Sequence, residues 1–308
     1  MPTVRELLDE GISRLRASGS ESPRLDAELL LARAISADRT AVLAHPDAPV
    51  GDGQAASYAA DVRRREDGEP VAYIRGFKEF YGIALGVDRR VLIPRPETER
   101  LVELAEDEVA DRLTSAPRSP GGHPLRVVDV GTGSGAVAIA LAVALRRRRM
   151  LEHVELIATD DSDDAIAVAQ VNAVGHGVAD RVRFVSTDLL TPVVERPYDL
   201  VAANLPYIPS ADVEGLPIAA SFEPRAALDG GPDGLALIRR LLARLPEALA
   251  DSGVALLEIG SEQAAAIEAA VGASLPGWSI AIEADLSGRP RVARIWRAAV
   301  ADRPGRPA

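Results

Sequence analysis

From residue 125 onward the chain alternates short apolar runs with segments of helical periodicity, and this alternation limits the fold more than any other feature of the sequence. It is typical of a parallel β-sheet covered by helices on both faces. We therefore predict an α/β fold with a Rossmann-like sheet whose last two strands form an antiparallel pair at the far edge. The seven predicted strands are residues 126–130, 154–159, 182–185, 198–203, 253–259, 278–283 and 291–297.

The N-terminal part of the chain has no strand pattern and instead carries apolar residues at helical spacing, beginning with Val4, Leu7, Leu8, Ile12 and Leu15. With 308 residues, the chain is also long enough to divide into two domains. We predict a small helical bundle at residues 1–76, a connector with a short hairpin at 77–96, the sheet domain at 97–297 and a flexible tail at 298–308.

Composition argues against several kinds of site and location. The sequence has no cysteine, and its four histidines lack the close spacing of a zinc motif, so we predict no metal site. The net charge of −11 repels phosphate backbones and makes naked nucleic acid an unfavourable main ligand. The longest apolar stretch, residues 136–145, is shorter than the roughly 20 residues that span a bilayer. Charged residues near the N-terminus argue against a secretory signal, and we expect a cytoplasmic monomer without membrane attachment.

A glycine-rich turn follows the first predicted strand and precedes a helix, with Gly131, Gly133 and Gly135 in the sequence VVDVGTGSGAVAIALA. Glycine allows a sharp turn and the close approach of a ligand, and the helix N-terminus offers free N–H groups. A tight turn without a ligand is the alternative. Because the third glycine comes one position earlier than in the dinucleotide fingerprint, the turn argues against NAD but predicts a nucleotide-type cofactor.

Acidic residues follow the next two predicted strands. Asp160 ends the second strand, where a carboxylate can accept both ribose hydroxyls of a nucleoside. We interpret Asp163 and Asp164 as favourable charges in the first turn of the next helix. Asp188 follows the third strand and can accept from an adenine amino group, with Leu189 against the base; a helix-capping role for Asp188 is the alternative.

The tetrapeptide Asn204, Leu205, Pro206, Tyr207 follows the fourth predicted strand. The Asn204 side-chain oxygen and the Leu205 carbonyl can each accept one N–H of a planar NH2 group, while Pro206 stiffens the loop and Tyr207 supplies a ring for packing. Since the glycine turn and Asp160 also follow strand ends, we expect all three to meet at the carboxyl edge of the sheet.

The segment IPRPETE precedes the predicted sheet domain and carries Pro96, Glu97 and Glu99. One interpretation is that it closes over the cofactor. The other is that it is a proline-started helix with acids in its first turn.

Five segments together resemble the protein-(glutamine-N5) methyltransferases of peptide chain release factors, the PrmC or HemK family. They are SPRLDAELLLA at 22–32, PVAYIRGFKEFYG at 70–82, LIPRPETE at 92–99, DVGTGSGAVAIALA at 129–142 and FEPRAALDGGPDGL at 222–235. The resemblance implies a helical N-terminal domain that engages the release factor. It also implies a seven-stranded methyltransferase domain that uses S-adenosyl-L-methionine to methylate the glutamine of the GGQ motif in class 1 release factors.

The family usually has NPPY where this chain has NLPY, a sequence that is also similar to the motif of ribosomal RNA adenine dimethyltransferases. Leu205 keeps the backbone carbonyl but changes the stiffness of the loop. By resemblance, Asn204, Leu205, Pro206 and Tyr207 hold the glutamine, Asn204 and Tyr207 are catalytic, and the cofactor is contacted by Gly131, Thr132, Gly133, Ser134, Gly135, Asp160 and Asn204, to which we add Asp188 and Leu189.

The expected reaction is an in-line displacement at the methyl group of S-adenosyl-L-methionine by the glutamine nitrogen. Two other functions stay open at this point. The same tetrapeptide can serve an RNA or DNA methyltransferase that modifies the amino group of adenine or cytosine. A protein that binds the cofactor without turnover is the non-enzymatic alternative.

Overall fold

The computed structural model describes residues 1–115, 123–190 and 196–298. Apart from residue 298, the tail predicted at 298–308 lies outside these residues. The described chain divides into two compact units, and the division is not a single cut along the sequence. One unit contains Met1–Lys78, Val87–Arg89 and Leu216–Glu223, and the other contains the remaining described residues.

The first unit contains five α-helices around an apolar core that includes Leu15, Leu30 and Val62. Its second helix also buries two carboxylates, and each has an arginine partner: Asp26 accepts from Arg65 at 2.7 Å, and Glu28 accepts from Arg39 at 2.7 Å. Pairing makes burial of these charges tolerable. The helices are α1 (Val4–Ala17), α2 (Pro23–Ala34), α3 (Arg39–Ala44), α4 (Asp52–Glu66) and α5 (Val71–Arg75).

A small two-stranded sheet contains β1 (Phe77–Phe80) and β2 (Ile83–Gly86), and the short 3-10 helix Pro96–Thr98 leads into α6 (Glu99–Ser115). Strands and helices then alternate, as the sequence pattern predicts. They are β3 (Leu125–Val130), α7 (Ala136–Arg147), β4 (Val154–Asp160), α8 (Asp163–Gly175), β5 (Val182–Ser186), β6 (Tyr198–Ala203), α9 (Ser210–Val213), α10 (Ala236–Ala248), β7 (Leu249–Glu258), α11 (Ala264–Ser274), β8 (Trp278–Ala284) and β9 (Pro290–Arg297).

The main sheet has seven strands in the order β5-β4-β3-β6-β7-β9-β8. All neighbouring strands are parallel except β9, which is antiparallel to β7 and β8. The predicted Rossmann-like fold and its antiparallel edge are confirmed. The chain turns to one side of β3 to form β4 and β5, and to the other side to form β6 and β7. The switch point between β3 and β6 is where ligands bind in open α/β sheets.

The largest difference from the predicted strand bounds is at the start of β7. β7 starts at Leu249 instead of residue 253, because Tyr198 pairs with Leu249 before a register shift that precedes Leu200. Gly253 permits this irregularity, since a Cβ there would lie 2.6 Å from the Cγ of Leu249. The residues Asp251 and Ser252, which precede the predicted strand, therefore lie within an irregular strand.

Helix α7 lies in the core, because every residue from Ala136 to Leu145 is buried. A helix that is apolar on all sides is typical of a buried position. Within the described part of the chain, no helix combines the length and the apolar character needed to cross a membrane.

The buried side chain of Asn172 on α8 connects β2 with the turn after β3. Its Oδ1 accepts from the backbone nitrogen of Gly86 at 2.7 Å, and its Nδ2 donates to the carbonyls of Gly86 at 3.0 Å and Ser134 at 2.8 Å. All of these bonds use main-chain groups that need a partner when buried.

We expect Asn172→Ala to lower the free energy of unfolding by about 1–3 kcal/mol, because it leaves main-chain groups of Gly86 and Ser134 without partners. Val171→Ala is the matched control, since the Val171 side chain is 72% exposed and its loss should change stability by about 0.5 kcal/mol or less. Urea unfolding followed by circular dichroism measures both. Equal effects of the two substitutions would contradict the tethering role of Asn172.

Candidate active site

The turn after β3 has a backbone that favours glycine. Gly131, Gly133 and Gly135 have φ values of 72°, 55° and 82°, which lie in the left-handed region. The backbone nitrogens of Gly131 and Thr132 both donate to the carbonyl of Thr159, at 2.8 and 2.9 Å. The glycine turn is thus fixed to the end of β4.

The three glycines have different surroundings. A Cβ at Gly135 would lie 2.5 Å from the Cδ1 of Ile139, so this glycine is required by the packing of α7. A Cβ at Gly133 would meet no heavy atom within 4 Å. The space beside Gly133 is therefore open, and a ligand can approach the backbone there.

The side chains between the glycines point into the protein. The hydroxyl of Thr132 donates to Asp129 Oδ2 at 2.6 Å, and the backbone nitrogen of Ala138 donates to the same oxygen at 3.1 Å. Burial raises the pKa of Asp129 to about 6, although these two hydrogen bonds lower it. The side chain of Ser134 is also buried. Both residues are therefore almost inaccessible, and their contacts with the cofactor stay predictions.

Asp160 ends β4 next to the glycine turn. Its Oδ2 accepts from the backbone nitrogen of Gly133 at 2.8 Å, and its Oδ1 accepts from that of Ser162 at 3.0 Å. Burial raises the pKa of Asp160, while these two bonds lower it. Each oxygen keeps a further lone pair, so the carboxylate is still able to accept ribose hydroxyls. Asp163 and Asp164 lie in the first turn of α8, as interpreted from the sequence.

Asp188 lies beyond β5, and its carboxylate is engaged by α10. Its Oδ2 accepts from Arg240 at 2.6 Å and from Arg244 at 3.0 Å. The helix-capping alternative depends on residues 191–195, which lie outside the described residues. Leu189 is buried, and its carbonyl accepts from the hydroxyl of Thr159 at 2.8 Å. The contacts of Asp188 and Leu189 with an adenine ring stay predictions.

The acceptor loop, which we define as residues 204–208, begins directly after β6. The Nδ2 of Asn204 donates to Thr98 Oγ1 at 2.9 Å, which leaves Oδ1 as the acceptor of the amide. A Cβ at Gly131 would lie 3.0 Å from the Cδ2 of Leu205 and 3.9 Å from the carbonyl oxygen of Asn204. The structure therefore brings together the glycine turn, Asp160 and the acceptor loop, as expected from the strand order.

A cavity of about 80 Å³ opens at the acceptor loop. It is much smaller than the roughly 300–1,000 Å³ of sites that enclose a whole small molecule, so its size suits the end of one side chain. Burial raises the pKa of Tyr207 to about 12, so its phenol stays neutral near pH 7. The lining residues are Leu92, Arg95, Asn204, Leu205, Pro206, Tyr207, Ile208, Ala227 and Leu228.

Two glycines of the segment at 224–235 pack directly beneath the acceptor loop. A Cβ at Gly230 would lie 2.6 Å from the carbonyl oxygen of Pro206, and a Cβ at Gly234 would lie 2.2 Å from that of Tyr207. The backbone nitrogen of Gly230 also donates to the carbonyl of Ile208 at 2.8 Å. These glycines had no predicted role, although the repeated glycines in DGGPDG were a signal of close backbone approach.

Glu258 ends β7 and is only 1% exposed. Neither of its carboxyl oxygens has a hydrogen-bond partner, and the nearby hydroxyl of Thr98 lowers the pKa of this carboxyl. Burial has the larger effect and raises this pKa to about 7. Sequence reasoning missed both residues, because a glutamate in an apolar run gives no sign of what it faces.

Comparisons with known proteins match both parts of the chain. The family described as "PrmC N-terminal domain" matches residues 6–76, and "Methyltransferase small domain" matches residues 113–222. A release factor glutamine methyltransferase of Rhodopirellula baltica is 37% identical and covers 96% of this chain and 97% of its own length. A protein of the same name from Deinococcus radiodurans is 35% identical over 96% of this chain and 99% of its own length.

Among solved structures, the hMettl16 catalytic domain in complex with the MAT2A 3′UTR hairpin 1 has a TM-score of 0.54. It covers 86% of this chain and 87% of its own chain at 16% sequence identity. At this identity the likeness concerns the fold alone.

We expect Gly234→Ala to lower the thermal midpoint by roughly 2–8 °C, because a Cβ would clash with the Tyr207 carbonyl at a residue whose φ is 76°. Gly272→Ala in α11 is the control, since a Cβ there meets nothing within 4 Å and alanine favours a helix. Thermal unfolding of both variants tests the support of the acceptor loop. An unchanged midpoint for Gly234→Ala would contradict it.

Glu258 should make stability depend on pH. Its pKa is about 7 in the folded protein and 4.5 ordinarily, so the folded state holds this proton more tightly than the unfolded state. The free energy of unfolding of the wild type should consequently fall by about 3 kcal/mol as pH rises from about 4.5 to 7. This fall is measured relative to Glu258→Gln, which has no ionisable group at this position. Urea titrations across this range, with the exposed Glu268→Gln as control, measure the difference. Parallel profiles for Glu258→Gln and the wild type would exclude a raised pKa.

Proposed function

This chain belongs to the release factor glutamine methyltransferase family, and from this membership we propose that it uses S-adenosyl-L-methionine to methylate the side-chain amide nitrogen of the glutamine in the GGQ motif of class 1 release factors. The observation that carries this proposal is the orientation of Asn204. Its amide nitrogen donates to Thr98, which leaves its side-chain oxygen as an acceptor, and the main-chain carbonyl of the same residue lies beside the glycine turn.

The residues at the glycine turn fit a nucleoside cofactor. Gly133 leaves open space beside its backbone, and Asp160 has lone pairs for ribose hydroxyls next to that space. S-adenosyl-L-methionine would supply a methyl group on a positively charged sulfur. The glutamine nitrogen would bond to this methyl group as the methyl–sulfur bond breaks, the electron pair of that bond would stay on sulfur, and the nitrogen would release one proton to water. The switch point between β3 and β6, where Asn204 begins the acceptor loop, is where such a cofactor would be held in this sheet.

Asn204 and Leu205 make the glutamine nitrogen a better nucleophile by holding its two hydrogens. The lone pair of an amide nitrogen is delocalised into the carbonyl, so the free amide attacks poorly. Acceptors at Asn204 Oδ1 and the Leu205 carbonyl align that lone pair with the methyl group, and they stabilise the positive charge that develops on nitrogen. The ring of Tyr207 packs against the planar carboxamide.

Leu205 is compatible with this function. The proposed hydrogen bond uses a main-chain carbonyl, which leucine has as well as the proline of NPPY. Its side chain is buried and packs against Gly131, so leucine also anchors the loop to the glycine turn. Stiffness that proline would provide by its ring comes here from side-chain packing.

A protein substrate is favoured over a nucleic acid by size and charge. The cavity of about 80 Å³ suits a carboxamide, and the net charge of −11 opposes the approach of phosphate backbones. We assign the helical residues 1–76 to release factor binding, since they include the match to the PrmC N-terminal domain. We further propose that the enzyme acts in the cytoplasm as a monomer.

We expect Asn204→Ala to slow methyl transfer by on the order of 100-fold or more, because it removes an acceptor aimed at the reacting nitrogen. Binding of S-adenosyl-L-methionine should change little. The measurement uses radiolabelled cofactor with purified release factor, and Asp212→Ala, an exposed substitution on α9, is the control. Near-normal turnover by Asn204→Ala would refute the assignment.

RNA and DNA are offered separately in the same assay. Label in a nucleic acid instead of the release factor would favour the amino-directed nucleic-acid methyltransferase. Cofactor binding without transfer to any of the three would favour a non-catalytic protein.

A further inference from the structure

The direction of the Asn204 amide decides whether the acceptor loop can accept from a substrate. The two ends of a carboxamide are almost the same in shape, but the oxygen accepts and the nitrogen donates. Packing alone therefore distinguishes the two orientations poorly. In the structure the distinction comes from Thr98, whose Oγ1 accepts from Asn204 Nδ2 at 2.9 Å.

Thr98 cannot fix this direction by itself, because a hydroxyl both donates and accepts. A second group must decide which way its hydrogen points. Glu258 is in position to do so, because Ala203 and Leu257 are paired in the β6–β7 ladder. Asn204 directly follows Ala203, and Glu258 directly follows Leu257 at the end of β7. The carboxyl of Glu258 is buried and neither of its oxygens has a hydrogen-bond partner, while the Thr98 hydroxyl is near enough to lower the pKa of this carboxyl.

We propose that Thr98 and Glu258 are positioning residues, and that ionised Glu258 orients the Thr98 hydroxyl so that Asn204 presents its oxygen to the substrate nitrogen. The proposal rests on the proposed glutamine methylation. An ionised carboxylate only accepts, so Thr98 donates to it and must accept from Asn204 Nδ2. The charge also polarises the chain of hydrogen bonds and makes Asn204 Oδ1 a stronger acceptor.

Protonation of Glu258 removes this constraint. A neutral carboxyl can donate to Thr98, and the Thr98 hydroxyl can then donate to Asn204 Oδ1. In that arrangement the side-chain amide of Asn204 flips and presents its nitrogen, which repels the N–H groups of the substrate. No covalent bond forms or breaks in the switch, and the only change is one proton on Glu258.

The charged groups around Glu258 set the pH at which the switch occurs. Burial raises the pKa of Glu258 to about 7, Thr98 and Arg291 lower it, Glu97 raises it and Arg95 lowers it. Arg291 comes from β9, and Glu97 and Arg95 come from the segment before α6. Tyr207 also faces Glu258 from the acceptor loop and stays neutral in this range. The switch therefore lies near neutral pH.

The first test compares Thr98→Val with Thr98→Ser. Valine has the shape of threonine without the hydroxyl, and we expect it to lower kcat about 10-fold, while the dissociation constant of S-adenosyl-L-methionine stays unchanged. Serine keeps the hydroxyl and should retain most of the activity. An unchanged kcat for Thr98→Val, or equal losses for valine and serine, would overturn the role of Thr98.

The second test follows single-turnover methylation of a release factor from pH 5.5 to 8.5. The wild-type rate should rise about 10-fold with a midpoint near pH 7, as Glu258 ionises. Glu258→Gln should lose this rise, and the exposed Glu268→Gln should keep it. Cofactor binding by Glu258→Gln verifies that the variant is folded. If Glu258→Gln keeps the wild-type pH profile, the inference is wrong.

Failure of the inference differs from failure of the proposed function. A wild-type protein that methylates release factor but shows no dependence on Thr98 or Glu258 refutes only the positioning role. A wild-type protein that transfers no label to release factor refutes both.

Discussion

The contact between Gly131 and Leu205 fixes how close the cofactor turn lies to the acceptor loop. A side chain at Gly131 would place its Cβ 3.0 Å from the Cδ2 of Leu205, at a φ of 72° that itself favours glycine. Strands β3 and β6 are parallel neighbours, so the two loops leave the same edge of the sheet side by side. Methyl transfer needs reacting atoms about 3–3.5 Å apart, and this packing makes such an approach possible.

Much of the fold and the convergence of the site could be predicted from the sequence. Buried parallel strands appear as continuous apolar runs in the sequence, so the ends of β3, β4 and β6 could be predicted. Gly131 and Asn204 directly follow β3 and β6, and Asp160 is the last residue of β4. The start of β7 could not be predicted from the sequence, because Asp251 and Ser252 are residue types typical of turns. They become part of a strand only through an irregular pairing with β6.

The partners of the reacting residues were beyond sequence reasoning. Thr98 and Asn204 are separated by 106 positions in the sequence. In the segment at 92–99, the prolines and acidic residues had predicted roles, and the threonine between them had none. Asp188 has the sequence context of a base-binding residue, yet its carboxylate meets two arginines of α10. Side chains that meet only through the tertiary fold leave no local pattern.

Burial serves the chemistry of this site and also limits it. Removing water from the acceptor loop strengthens its hydrogen bonds, so a fixed Asn204 oxygen counts for more than it would in solvent. The same burial raises the pKa of Glu258 to about 7, which weakens its hold on the direction of the Thr98 hydroxyl. Arg291 and Thr98 oppose that rise. A drier site would leave Glu258 protonated, and a wetter one would weaken Asn204, so the environment of the carboxyl must lie between these limits if ionised Glu258 orients the amide.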